Sequence, residues 1–430
     1  MKSLLGKPDA GIAAGGGLES GHPGVVRRVL MLTWEFPPMV VGGLSRHVFD
    51  LSRHLVKQGV EVHVLTSQVE GYPDYEINQG VRVHRVATYQ AKELNFLEWV
   101  FQLNLAMLDY SHKLLRQTSL DVLHAHDWLV VYAAKAIKHT YGLPLVATIH
   151  ATEHGRNQGL HSELQHRIHG LEWQLTYEAR RVITCSRFMR DEVRYLFNLP
   201  DDKLDIIGNG VDPQAVRVFE HEAQWRSQLA LPSEKLVVFV GRLVREKGVH
   251  VLLDSALGIL QQCPDAKFII AGNGPERHAL EKQAETLGLG PKVLFLGQVD
   301  EDARNRLLRL ASVAVFPSLY EPFGIAPLEA MAAGSPVVVS GVGGLQETIE
   351  YGVDGWTVLP GDVPSLVSHV IKVLSDDLEA RTMAIRAFEK VFSEYSWEHI
   401  AVQTVDCYAQ LWHHDDREAV RIRQEVAAAL

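Results

Sequence analysis

Glu321-Pro322-Phe323-Gly324-Ile325-Ala326-Pro327-Leu328-Glu329 follows closely on the apolar run Val313-Ala314-Val315-Phe316-Pro317. The run reads as a buried strand. The segment after it then sits at a strand's carboxyl end, where open α/β sheets bind ligands. Seven residues separate its two carboxylates, with a Pro-Phe-Gly turn after the first and a helix start expected at the second. A carboxylate in that place can accept hydrogen bonds from sugar or ribose hydroxyls. Backbone N–H groups at a helix start can receive phosphate.

Working outward, apolar runs alternate with helix-like stretches along nearly the whole chain. Strands are expected near Val29–Thr33, Val60–Thr66, Val81–Val86, Val122–His126, Leu145–Ile149, Val182–Cys185 and Leu204–Ile207. A second series is expected at Leu236–Val240, Lys267–Ala271, Val293–Leu296, Val313–Phe316, Pro336–Ser340 and Trp356–Val358. Such alternation means parallel sheets with right-handed crossovers. The series restarts near Lys235, after a helical polar stretch from Glu220 to Leu231, so a boundary falls between Gly210 and Lys235. The last segment, Trp397–Trp412, reads as an amphipathic helix able to pack on either half. Phe96–Leu115 is a strongly apolar helix that covers the sheet or lines a cleft; an acceptor-side or membrane-facing surface is the sharper reading. His161–Arg181 mixes charges of both signs and reads as an exposed helix.

Composition narrows the classes. The chain has 430 residues, enough for two or three domains, with 47% apolar and 22% charged residues. A formal net charge of −10 argues against nucleic acid as the main partner. No apolar run is long enough to span a bilayer. Residues 1–24 are rich in Gly and Ala, lack a compact apolar h-region, and read as a flexible tail, not a signal peptide. Cys185, Cys263 and Cys407 are three and widely spaced, so no disulfide framework or cysteine zinc site is indicated. The expected home is the cytoplasm.

Several strand ends carry chemistry. Gly42-Gly43, between the first strand and a helix, would let backbone approach a phosphate closely; a plain loop is the alternative. It is not the G-x-G-x-x-G pattern, and Gly272-x-Gly274 also lacks the third glycine. Arg242 and Lys247 flank a turn after the strand Val237–Val240, where two cations suit a departing diphosphate. His124 and His126 share one strand face and invite comparison with a metal site built with His150, His154 or His161. No carboxylate or thiol set with standard ligand spacing accompanies them, so no metal is expected. A catalytic or hydroxyl-binding role fits Asp127 better, and His150 can orient a polar substrate group. Asn209-Gly210 and Asn273-Gly274-Pro275 are strand-end turns that suit a cleft lining.

Taken in order, these segments resemble the retaining glycosyltransferases of family GT4, and within it the glycogen/starch-synthase-like α-glucan branch. The resemblance rests on Trp34-Glu35-Phe36-Pro37-Pro38 with Gly42-Gly43-Leu44, Asp121 to Trp128, Thr148-Ile149-His150, Cys185-Ser186-Arg187, Asn209-Gly210-Val211-Asp212, Gly241-Arg242 with Lys247-Gly248, Gly272 to Pro275, and Glu321 to Glu329. It covers roughly Val29 to Trp412. It implies a GT-B fold of two Rossmann-like domains about a deep cleft. The N-terminal acceptor domain would be residues 25–212, completed by the helix 397–412, and the donor domain residues 213–396. It also implies that Arg242 and Lys247 hold the donor diphosphate, Glu329 the ribose, and Glu321 the donor sugar. Gly42, Gly43, Asn209, Gly210, Asn273, Gly274, Phe323, Gly324 and Ile325 would complete the donor site. His150 would lie beside the transferred sugar and Asp127 near the acceptor.

The implied reaction moves a glucosyl unit from ADP- or UDP-glucose to an α-glucan or oligosaccharide, with no cofactor and no metal. Glycogen synthases usually carry a lysine just before the N-terminal Gly pair, and Val41 stands there instead. That form is closer to relatives acting on oligosaccharides, glucans or lipid-linked acceptors. Alternatives are a GDP-dependent mannosyl- or hexosyltransferase acting on a lipid or small acceptor, an epimerase acting on a free nucleotide sugar, and a silent sugar-binding protein on the same fold. A peripheral membrane contact stays open.

Overall fold

Fourteen strands form two sheets in the computed structural model, which describes residues 26–89, 95–212, 222–412 and Gln424. The tail expected at 1–24 and part of the expected domain boundary lie outside the described residues. The first sheet contains β1 (Arg28–Leu32), β2 (Glu61–Ser67), β3 (Tyr75–Asn78), β4 (Val81–Val86), β5 (Val122–His126), β6 (Leu145–Ile149), β7 (Arg181–Thr184) and β8 (Leu204–Ile206). Their order is β3-β4-β2-β1-β5-β6-β7-β8. The second contains β9 (Lys235–Val240), β10 (Ala266–Ala271), β11 (Val293–Gly297), β12 (Val313–Phe316), β13 (Val337–Ser340) and β14 (Trp356–Val358), in the order β11-β10-β9-β12-β13-β14.

All pairings are parallel except β3 with β4. Helices cover both faces of a parallel sheet, which explains unbroken apolar runs such as Leu236 to Phe239, all buried. β3 is a departure from the all-parallel expectation. It is a short edge strand with exposed Tyr75 and Ile77, returning to β4 through Gln79 and Gly80, both at positive φ. A two-residue turn of that kind closes a hairpin.

Each sheet reverses its strand order at its centre, between β1 and β5 and between β9 and β12. Ligands of doubly wound sheets bind outside such switch points. The loops after β1, β5, β9 and β12 are the ones that carry Gly42-Gly43, Asp127, Arg242 with Lys247, and Glu321.

The helix Phe96–Leu115 buries Val100, Leu103 and Met107 while leaving Phe96, Phe101 and Leu105 exposed. The chain ends by crossing back. Val211 N–H donates to the carbonyl of Tyr395 at 2.8 Å, and the helix Trp397–Ala409 packs on the helix Gly43–Lys57 beside the first sheet. Its Trp397, Ile400 and Tyr408 share a core with Val48, Leu51 and Val62. Gly210 permits this crossing. A Cβ there would stand 2.5 Å from the Trp397 ring.

Candidate active site

The loop after β9 turns at Arg245–Lys247 and ends at Gly248, whose φ is +68°. A Cβ at Gly248 would lie 1.9 Å from the carbonyl oxygen of Pro317. Only glycine allows both the backbone and the approach. The contact binds this loop to the one after β12, and Lys247 Nζ then donates to Glu321 Oε2 at 2.7 Å. Ser318 Oγ donates to the same oxygen at 3.2 Å. Arg242 is 47% exposed and pairs with Glu246 at 3.5 Å. The Asn273-Gly274 turn supports the loop from behind, the Asn273 carbonyl accepting from Leu243 N–H at 2.9 Å.

The expected helix start is displaced. The helix spans Ile325–Ala332 and begins four residues before Glu329, because Gly324 at φ +104° breaks the chain direction there. No side chain caps this helix, so its first N–H groups are left without a side-chain partner, as an anion site requires. Glu329 is thereby in the helix body. It pairs with Arg46 of the other half at 3.2 Å and with Arg304 at 3.1 Å. Burial pushes its carboxyl up to about 7, against the pull of Arg46. Ile325 also faces the other half, its Cδ1 standing 3.3 Å from where a Gly43 Cβ would lie. Phe323 is held in packing. It is buried against Gly208 and Tyr395, where its ring fills the seam between the halves.

On the N-terminal side, Glu35 accepts from Val41 N–H at 2.6 Å and Gly42 N–H at 3.3 Å. The carboxylate thus shapes the Gly loop and occupies the Gly42 amide. Asp127 sits at φ 59°, ψ 171°, a conformation essentially reserved for glycine and costing on the order of 1–3 kcal/mol. There its carboxylate accepts the backbone N–H of His150 at 2.9 Å and is 5% exposed. Burial raises its carboxyl to about 6, with Arg156 and the His150 amide pulling the other way.

His150 joins a cluster. Its Nε2 is 3.3 Å from His126 Nδ1, and its ring centroid is 4.7 Å from that of His47. Asn209 holds His47 from the side, Oδ1 to Nδ1 at 2.6 Å, and His124 lies behind, bonded to Tyr408 and Thr148 at 2.7 Å each. Burial lowers His150 to about 3 and holds His47, His124 and His126 well below the usual imidazole range. These rings are neutral at pH 7.

The structure therefore joins Lys247 with Glu321, His150 with Asp127, and Asn209 with His47. The sequence reading missed Glu35, Arg46, His47, Ser318 and Arg304. The signal for Arg46 and His47 was their position in the first turns after the Gly pair. Ser318 and Arg304 had no such marker.

Two switch points facing each other across a cleft, with cations on one side and a histidine on the other, define a GT-B glycosyltransferase. Family models agree along the chain: glycosyltransferase family 4 matches residues 41–215 and glycosyl transferases group 1 matches residues 221–391. An uncharacterized glycosyltransferase of Methanocaldococcus jannaschii is 40% identical over 387 residues, covering 89% of this chain and 97% of that protein. The glycogen synthase of Mycobacterium tuberculosis is 36% identical over 401 residues, covering 89% and 94%. The sucrose-phosphate synthase of Thermosynechococcus elongatus superposes with a TM-score of 0.79 at 26% identity, covering 90% of this chain and 99% of its own. The chain belongs to glycosyltransferase family 4. Among the described residues, no helix is long and apolar enough to cross a membrane.

Proposed function

We propose that the protein is a retaining glucosyltransferase that moves glucose from ADP- or UDP-glucose to an α-glucan or oligosaccharide, in the cytoplasm and without a metal. The observation that carries this reading is the Lys247–Glu321 pair at 2.7 Å beneath an uncapped helix N-terminus. The similarity to a glycogen synthase supports the glucan acceptor.

Lys247, Arg242 and the first amides of the helix Ile325–Ala332 hold the diphosphate and stabilise the charge that develops as it departs. Glu329 accepts ribose hydroxyls. Glu321, oriented by Lys247 and Ser318, receives hydroxyls of the donor sugar. His150 is neutral and bonds the transferred sugar, while Asp127 fixes the His150 backbone as a positioning residue. The acceptor hydroxyl attacks from the face the diphosphate leaves, and its proton passes to the departing phosphate oxygen. This accounts for retention.

Thermal shift with ADP, UDP and GDP, without added metal, tests the donor site. A ligand at 100 times its Kd stabilises by about 2.7 kcal/mol. A shift with ADP or UDP, together with glucan extension from the matching glucose donor, is the expected result. Selectivity for GDP would favour a mannosyltransferase instead. No shift with any of the three would leave a silent sugar-binding protein.

A further inference from the structure

We propose that His47, His126 and His150 form a binding site for a divalent transition-metal ion of the zinc class, and that its occupation blocks transfer. One ring nitrogen from each of the three lies within 4.8 Å of the others. They come from three separate elements, the helix Gly43–Lys57, β5 and the turn after β6.

Three features make the cluster a receptor and not a packed core. First, Nε2 of His47 is buried and has no hydrogen-bond partner, on a residue 4% exposed. A buried polar atom without a partner costs free energy, and a ligand that satisfies it is favoured. Second, neutral imidazole is the commonest nitrogen ligand for such ions, and the three rings converge on one point within the fold. Third, the Asn209 carbonyl oxygen at 2.6 Å from His47 Nδ1 fixes the proton on that nitrogen and leaves Nε2 as the donor. This is the second-shell arrangement of histidine ligands in metal sites.

The geometry fits a small ion. Zinc–nitrogen bonds of about 2.0–2.1 Å at a tetrahedral angle set the nitrogens roughly 3.3 Å apart. His126 Nδ1 and His150 Nε2 already stand 3.3 Å apart. Binding there moves the proton these two nitrogens share to the far nitrogen of the ring that carries it, so both imidazoles stay neutral ligands. His47 offers the third nitrogen, within 4.8 Å of the other two. Three histidines with a fourth position open are a complete zinc ligand set, so the lack of a nearby thiolate is no obstacle. Imidazole donors select zinc, copper, nickel or cobalt over magnesium or calcium. The buried Asp127 carboxylate, bonded to the His150 backbone, offsets part of the added positive charge.

The block rests on the placement of His150 beside the transferred sugar; the binding site does not. A bound ion fixes the His150 ring and draws its lone pair away from the sugar.

Cobalt(II) and zinc(II) are the probes. Wild-type protein titrated with Co²⁺ should develop the visible absorption of a nitrogen-ligated tetrahedral ion. Equilibrium dialysis should find one equivalent of Zn²⁺ held against an excess of Mg²⁺. Both should be lost in His47→Ala and His126→Ala, with folding checked by circular dichroism, and kept in His161→Ala, an exposed control outside the cluster. Zn²⁺ should abolish transfer and a chelator should restore it. A featureless cobalt spectrum of the wild type, or undiminished zinc in folded His47→Ala, overturns the site. Zinc bound in one equivalent with full transfer overturns the block and the placement of His150, while leaving the donor-site reading to its own nucleotide test.

Discussion

Arg46 reaches from the first helix of the N-terminal half to Glu329 of the other half, Nη1 to Oε1 at 3.2 Å, and so bridges the cleft at the place proposed for ribose. Donor binding has to draw Glu329 away from that guanidinium. The carboxyl must also be ionised to accept ribose hydroxyls, yet burial raises it from 4.5 to about 7. KM for the donor should therefore rise as pH falls from about 8 to 6. Glu329→Gln should bind weakly at every pH and lose that trend. The same shift has a stability consequence. A raised carboxyl favours the folded state below its unfolded pKa, and that benefit fades as pH climbs through 7. The stability of the wild type relative to Glu329→Gln should fall by about 2 kcal/mol between pH 5 and 8. A pH-independent difference in urea unfolding would remove this account.

Lys247 is placed by the Gly248 turn and held by Glu321. Its ammonium is the preorganised charge nearest the proposed diphosphate. Lys247→Ala should reduce transfer by at least about two orders of magnitude, as loss of a transition-state donor does. Initial rates on a variant with a wild-type circular dichroism spectrum would measure it. Near-normal turnover would refute the diphosphate role.

Most of the fold was legible because parallel strands buried on both faces write themselves as unbroken apolar runs. Val313 to Phe316 and Val122 to His126 are strands as read. β3 was not legible, since Tyr75-Glu76-Ile77-Asn78 is half polar and sits at an edge; the Gln79-Gly80 pair was its one mark. In the site, Lys247 and Glu321 could be placed at strand ends from the sequence, and the structure brings them into contact. Glu35 could not, since a loop Glu reads as surface charge until the cleft closes over it; Arg46 was marked only by its place in the first turn after the Gly pair. Phe323 shows the opposite case, a packing role the sequence did not reveal. A turn aromatic beside two carboxylates looks like a ligand contact, and only the packing shows that Gly208 leaves room for its ring.

Gly210 was read as cleft lining, but its hydrogen faces Trp397. An added methyl would overlap the ring at 2.5 Å, and Trp397 is 3% exposed with no open side to move into. Gly210→Ala should destabilise by roughly 1–3 kcal/mol, the usual range for an overpacked core. Chemical denaturation would report it. A smaller change would mean that the terminal helix shifts freely on the first sheet.

Glu347 joins the halves in a different way from Arg46. Its two carboxylate oxygens accept the N–H groups of Arg187 and Phe188, at 2.9 and 2.8 Å, so a side chain of the second half caps a helix of the first. A carboxylate at a helix N-terminus gains from both the orphan donors and the helix dipole. The contact lies at the surface, where water can replace the carboxylate, so Glu347→Ala should lower stability by only about 0.5–1 kcal/mol. Its effect on shape should be larger than its effect on unfolding. The cap exists only while the halves are closed, and losing it removes one of the contacts that hold an unliganded cleft shut. Small-angle scattering of ligand-free Glu347→Ala should give a larger radius of gyration than the wild type. Saturating nucleotide sugar should restore the wild-type value, because a donor held by Lys247 and Glu329 of the second half also meets Gly43 and His150 of the first. Identical scattering curves for the two ligand-free proteins would show that closure does not depend on this cap.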